Sequence, residues 1–415
     1  MSIDSLEVWV DTELTGLQQI GHMFHEHGHI RFEYIDQWLD SKFRFNIDPH
    51  LSLDKGSFHP RPDIGNFGML LDSSPDRWGQ TLMKRREAQE AKDEKRKART
   101  LYAWDFLIGV QDQTRQGALR YKQSGSNTFL GDHELPAPPV TYLQELQEIA
   151  TSLSSKRIDD LDALRKWLSV LVAPGASLGG ARPKANFSQK DGSLWIAKFP
   201  AKDDDMDIAA WEMLTHYLAA QSGIDTPEAK LYQFGKNYHT FCVKRFDREN
   251  DSRVFYASAM TLLEANESEG YSYIDLAQVI QDKGDSEFIK KDLEQLFRRV
   301  VFNIMVGNKD DHLRNHGFVL NANGWRLSKA FDVNPNIDKL EHVLNIDESD
   351  NRPSLENAVN SAAYYDLKDS EANAIVDVIA SKVSSWKNEA LKRKIARAEI
   401  ELMEQAYSES QNVTE

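Results

Sequence analysis

Apolar and polar residues alternate at the start of the chain. Leu6, Val8 and Val10 alternate with Glu7, Trp9 and Asp11, and Ile30, Phe32 and Tyr34 repeat the pattern, so the first hundred residues begin as a small β-rich unit. Ile64 to Arg86 predicts a turn and a helix, with Ser74 as its cap and Pro75 at its first position. Lys84 to Arg99 mixes Glu, Asp, Lys and Arg with Ala, the composition of a solvated helix, with a basic docking surface as the alternative. Trp104 to Val110 is predicted to be buried, and Gly117 to Tyr121 to be another strand. Ser124 to Pro139, with two glycines and three prolines, is the best linker. Helical periodicity then covers Tyr142 to Leu171. Strand patterns follow at Ala185 to Phe187 and Leu194 to Phe199, a helix at Ile208 to Ala220, and strands at Lys230 to Phe234 and Thr240 to Phe246. From about residue 250 helices dominate: Tyr273 to Ile280, Glu287 to Val306, Leu355 to Ala362 and Asp369 to Gln405. The polar tail after Tyr407 is expected to fray. The fold class this predicts is α/β (α+β) in three parts. They are a β-rich N-terminal subdomain over 1–123, a small lobe with a mixed sheet over 140–247, and a helical large lobe over 248–407.

Composition narrows the field. At 415 residues, 40% hydrophobic and 10% aromatic, the chain has material for two or three domains and a large core. A net charge of −15 disfavours broad binding to nucleic acid, which depends on Lys and Arg neutralising phosphates. The single cysteine, Cys242, excludes an intramolecular disulfide and suits a reducing cytoplasm. The first residues lack a charged n-region and a long apolar core, and no run of about 18 apolar residues occurs, so neither a signal peptide nor a membrane span is expected.

Two stretches carry candidate chemistry. Gly307-Asn-Lys-Asp310-Asp311-His312-Leu-Arg314-Asn315 follows an amphipathic helix pattern and precedes an apolar run at Phe318 to Leu320. After the turn Asn321-Ala-Asn-Gly324, a second carboxylate arrives at Asp332. An Asp, an Asn five residues on, and a later Asp are the parts phosphoryl transfer uses, a base and two metal ligands. Asp and Asn also crowd ordinary turns. The second stretch, Pro174 to Lys184, is the most Gly-rich of the chain, and Gly-rich turns between strands bring backbone N–H groups close to phosphate oxygens. Lys198 then sits between apolar neighbours on a strand, where an unpaired ammonium is costly and an anion is wanted. Glu212, on the next helix, is one candidate partner. Val243 to Arg248 lies where a hinge would join a small lobe to a large one.

The ordered set resembles the HipA family of bacterial serine/threonine kinase toxins. Ser177-Leu-Gly-Gly-Ala-Arg-Pro-Lys184 is similar to that family's phosphate loop, Ile196-Ala-Lys198-Phe-Pro200 to its strand lysine, and Val243 to Arg248 to its hinge. Gly307 to Asn315 resembles its catalytic loop and Phe331-Asp332 its metal-binding Asp. Leu71-Asp-Ser-Ser-Pro75 followed by Arg77 extends the resemblance into the N-terminal part, so it covers roughly residues 5–400. It implies a kinase-like two-lobed fold with ATP and Mg²⁺ in the cleft. Asp310 would be the catalytic base, and Asn315 and Asp332 the metal ligands. Lys198, steadied by Glu212, would hold the phosphates. Gly179, Gly180, Ala181, Arg182 and Lys184 would form the phosphate loop. Lys244, Arg245 and Phe246 would border adenine, with His312, Arg314 and Phe331 at the nucleotide. Ser177 matches the serine that the family autophosphorylates, and a phosphate of roughly −1.5 to −2 charge there would repel ATP or eject the loop. The resemblance further implies a protein substrate, an aminoacyl-tRNA synthetase in the family, and a small DNA-binding antitoxin partner.

The match has departures. Some members of the family carry Gln-Glu in place of Arg182-Pro183, which changes charge and rigidity in the loop. The adjacent carboxylates Asp310 and Asp311 are expected either to raise one another's pKa or to add a metal contact. The charged run 84–99 has no counterpart. Three other readings stay open: a small-molecule kinase on the same scaffold, a catalytically silent module that partners a DNA-binding protein, and a metal hydrolase built on Asp310, Asp311, His312 and Asp332.

Overall fold

The computed structural model describes residues 4–131, 137–154, 182–236, 238–250 and 252–409. Contacts divide the chain into two compact units, Met1–Lys202 with Lys244–Ala257, and Asp203–Val243 with Ser258–Glu415.

The first unit is built on a four-stranded antiparallel sheet of β1 (Ser5–Thr12), β2 (Gly16–Glu26), β3 (His29–Tyr34) and β4 (Leu119–Gln123), in the order β3-β2-β1-β4. The alternation read in β1 is real: Leu6, Val8 and Val10 are fully buried. The second strand escaped the pattern because Gln18, Gln19, His22 and His25 interrupt its apolar face, and its register against β1 slips between Val8 and Trp9. The helix predicted from Ser74 and Pro75 starts later. It spans Arg77–Asp93, capped by Asp76, whose carboxylate accepts from the Gly79 amide at 2.8 Å. Ser74 is spent on the preceding short helix, donating to the Leu70 carbonyl at 2.7 Å, which leaves Pro75 outside the new one. The charged stretch stays helical only to Asp93. Lys95 adopts a left-handed φ of 53°, and Arg96 turns back to pair with the buried Glu87 at 2.5 Å. Lys184–Ser188 and Leu194–Lys198 form an antiparallel hairpin. The helix read at 142–171 is present as Leu143–Ser154, and its remainder lies outside the described residues.

The second unit surrounds the Ile289–Val306 helix, whose Leu293, Leu296, Phe297, Val300, Val301 and Ile304 are buried at the spacing the sequence shows. Around it lie the helices Ile208–Gln221, Tyr273–Lys283 and Asp369–Val383, and the hairpin Gly317–Asn321/Gly324–Leu327. The single helix expected from Asp369 to Gln405 is three: Asp369–Val383, Trp386–Lys392 and Arg397–Met403. Ser384 and Ser385 interrupt it first, and Lys394, at φ 60°, leaves the helical conformation before the last segment.

The central helix ends at Gly307, at φ 64°. A Cβ there would lie 2.4 Å from the Ala406 carbonyl oxygen, so both the backbone conformation and the space demand glycine. The next residues are the candidate loop. Among the described residues, no helix is long and apolar enough to cross a membrane.

Candidate active site

The loop after Gly307 sends its two adjacent carboxylates to opposite environments. Asp310 is exposed and pairs with Lys339, Nζ to Oδ1 2.5 Å. Asp311 is buried, and its Oδ2 accepts from Tyr273 Oη at 2.7 Å and Asn303 Nδ2 at 2.8 Å, with His316 Nε2 also 2.7 Å away. Asn308 extends this network by donating to Asn303 Oδ1 at 3.1 Å. Burial opposes charge on Asp311, but His316 and the hydrogen bonds from His316 and Tyr273 outweigh it and hold the carboxyl below its ordinary range. The expected mutual elevation of the two carboxyls is therefore corrected: Asp311 is a scaffold inside the core. The hydrolase alternative loses a ligand with it. Among the described residues, no group of three His, Cys, Asp or Glu side chains is arranged to hold a metal by itself.

The remaining loop residues divide by exposure. Arg314 faces solvent, and His312 is half-buried with an inward Nδ1 that makes no hydrogen bond. Asn315 is buried, its amide donating to the His312 carbonyl at 2.8 Å, and its side-chain oxygen accepts no hydrogen bond. A buried acceptor left open is costly unless something fills it, which fits a metal ligand. Asp332 is half-buried in a left-handed conformation, φ 56°, and accepts from Asn334 Nδ2 at 3.3 Å. A non-glycine residue at such φ is the kind of strain that recurs at functional sites. Phe331 is buried beside it, and lines a small pocket with Asn315, Asp311, His316 and Arg299. Glu212 is buried on the Ile208–Gln221 helix of the same unit.

In the first unit, Ser177, Gly179, Gly180 and Ala181 lie outside the described residues. Arg182 donates to the Phe199 carbonyl at 3.1 Å. Lys198, half-buried, ends its strand directly opposite Lys184. Two residues expected at the nucleotide are committed elsewhere. Lys184 is 2% exposed and its ammonium pairs with Asp76, Nζ to Oδ2 2.7 Å, while its carbonyl accepts from Trp78 Nε1 at 3.2 Å. A buried ammonium needs such a partner, so Lys184 ties the strand to the N-cap of the Arg77–Asp93 helix. Arg245 is likewise buried, donating to the Thr114 carbonyl at 2.6 Å, Asn186 Oδ1 at 2.9 Å and the Asp247 carboxylate at 2.8 and 2.5 Å. Asp247 resists burial because Arg245 and Arg248 hold it far below the usual carboxylate range, while burial lowers Arg248 to about 10. The hinge motif thus locks onto the N-terminal sheet region, as in the Gly117 amide donating to Asp247 at 2.8 Å. Lys244 is half-buried, and Phe246 packs near Tyr256 with ring centroids 6.1 Å apart. Lys339, the ion-pair partner of Asp310, was missed in the sequence, and nothing in the spacing marks it.

Architecture and loop together are those of a kinase-like α/β protein. The HipA-like C-terminal domain model matches residues 176–387. The chain belongs to the HipA-like family. It is 26% identical over 181 residues to a Haemophilus influenzae protein named as a kinase, covering 38% of this chain and 52% of that one. It is 23% identical over 190 residues to the serine/threonine-protein kinase toxin HipA of Shewanella oneidensis, covering 39% of this chain and 43% of the toxin. The chain thus spans about half the length of the curated relatives it matches. A solved structure of Shewanella oneidensis HipA with HipB and operator DNA superposes with a TM-score of 0.68 over 98% of this chain and 97% of that one, at 17% identity, a likeness of fold.

Proposed function

We propose that this chain is an ATP- and Mg²⁺-dependent serine/threonine protein kinase acting in the cytoplasm as the toxin of a toxin–antitoxin pair. One observation carries the proposal: Asp310 is exposed while its neighbour Asp311 is anchored in the core, and the buried Asn315 oxygen is left open. Asp310 takes the proton of the acceptor hydroxyl as its oxygen bonds the γ-phosphorus and the bond to the ADP oxygen breaks. Asn315 and Asp332 hold Mg²⁺ through oxygen, as a hard cation requires. Lys198 and Glu212 serve the phosphates, with Arg182 and the Gly179-Gly180-Ala181 turn. Lys244, Phe246, His312, Arg314 and Phe331 border the nucleotide, whereas Lys184 and Arg245 act as structural ties. The functional anatomy proposed is 1–123, 140–247 and 248–407, a division that does not coincide with the two compact units. The Shewanella oneidensis HipA complex with HipB and operator DNA supports a DNA-binding antitoxin as partner. The substrate is a protein hydroxyl, with an aminoacyl-tRNA synthetase as the class to try first and Ser177 as the site of self-inactivation.

The test is phosphate transfer with purified protein, Mg²⁺ and labelled ATP, read by intact mass and peptide mapping beside Asp310→Asn and Ser177→Ala. One added phosphate on Ser177, absent in Asp310→Asn, is the expected result; loss of the base costs about 10²–10⁴ in rate. Nucleotide binding with no labelled product would turn the assignment into a silent binding module.

A further inference from the structure

The candidate base carries a cation that no part of the catalytic motif supplies. Lys339 lies seven residues beyond Asp332, and its ammonium sits 2.5 Å from Asp310 Oδ1. The segment around it is laced to the loop on both sides: the Asn336 amide donates to the Gly307 carbonyl at 2.8 Å and the Val343 amide to the Lys309 carbonyl at 3.1 Å. Between these anchors, Asn336 Oδ1 accepts from the amides of Asp338 at 3.0 Å and Lys339 at 2.9 Å, so the turn delivering Lys339 is built rather than incidental. The pair itself is solvated, with 41% of the Lys339 and 59% of the Asp310 side chain exposed. An ion pair in water is weakly held and readily exchanged, unlike the buried tie of Lys184 to Asp76. A phosphoryl group reaching Asp310 brings more negative charge than the carboxylate, and a flexible lysine can follow it as a point charge.

We propose that Lys339 is a γ-phosphate ligand, parked on Asp310 in the free protein and transferred to the terminal phosphate when nucleotide binds. This rests on the kinase assignment and deepens it. The exchange frees Asp310 for the acceptor hydroxyl at the moment a phosphate arrives. It also places a positive charge where transfer concentrates negative charge.

ATP and ADP differ only in the terminal phosphate, so the test compares Mg²⁺ complexes of ADP and of the non-hydrolysable AMP-PNP by calorimetry. With Lys339→Met, AMP-PNP affinity should fall about tenfold or more, the value of a charge-assisted hydrogen bond, while ADP affinity stays within about twofold. Lys339→Arg should retain most of the preference. Lys339→Cys alkylated with 2-bromoethylamine restores an ammonium and should recover it, because Cys242, the only native cysteine, is buried and shielded from the reagent. Equal losses for both nucleotides, or no loss for either, overturn the role of Lys339 and leave the kinase assignment standing. A wild-type protein that binds neither nucleotide overturns both.

Discussion

Replacing Asp311 by alanine should cripple the fold of the second unit although its neighbour Asp310 tolerates the same change. Three buried groups converge on Asp311 Oδ2, from Tyr273, Asn303 and His316, at 2.7 to 2.8 Å. Leaving a buried donor without its acceptor costs about 1–3 kcal/mol, and three such groups lose theirs here. The three donors are neighbours and some can re-pair, so the costs do not add fully; Asn303 already lies 3.2 Å from Tyr273 Oη. The expected loss for Asp311→Ala is therefore about 3–5 kcal/mol, a drop of roughly 6–20 °C in Tm for a unit of about 200 residues. Asp310→Ala removes an exposed ion pair and should leave stability within about 1 kcal/mol of wild type. Calorimetric and urea unfolding of both variants checks this. pH adds an independent arm. Because the folded state lowers the Asp311 pKa, its contribution is present above the unfolded value of about 3.9 and is lost as pH falls through the folded one. Asp311→Ala should remove that part of the acid transition. Equal costs for the two aspartates, or a loss under 1 kcal/mol for Asp311→Ala, would refute the scaffold role.

Two further outcomes follow from buried charge. Lys184→Met strands Asp76 in the core and should cost about 3–5 kcal/mol in thermal unfolding, much of it recovered in Asp76→Asn/Lys184→Met, where Asn still caps the helix. An unchanged Tm with lost nucleotide affinity would instead return Lys184 to the phosphates. Burial pushes His342 down to about 4, so the unfolded chain takes up a proton near 6.5 that the folded state refuses. Stability should fall by roughly 3 kcal/mol between pH 6.5 and 4 through this residue, with His342→Gln flattening the slope; an unaltered slope in that variant would count against it.

The sequence order of the candidate residues was legible, and Asp310, Asn315 and Asp332 stand in one unit on the loops the pattern marked. The fold was legible wherever burial follows a simple period, as in β1 and the Ile289–Val306 helix. It was hidden where side-chain chemistry overrode the period. The polar face of β2 masked a strand, Ser74 bonded backward and ceded the cap to Asp76, and Lys394 left the helical conformation within a helix-forming run. Lys184 and Arg245 show the deeper limit. A basic residue beside a Gly-rich turn or in a hinge looks the same in sequence whether its partner is a phosphate or a group of the protein: Lys184 takes the Asp76 carboxylate from about a hundred residues away, and Arg245 takes Asp247 beside it and the distant Thr114 carbonyl.

Gly307 has a consequence for when this protein can act. The loop that bears Asp310 begins against the backbone of Ala406, and the adjacent Tyr407 is stacked on Trp386 with ring centroids 4.3 Å apart. During synthesis the loop leaves the ribosome about a hundred residues before that support does, a lag of roughly 5–20 s at ordinary elongation rates. Through that interval the start of the loop lacks its contact with Ala406, although Tyr273 and Asn303 are already there to hold Asp311. If the chain is the kinase proposed above, its candidate base stands on a loop whose first support is among the last parts of the described chain to be made.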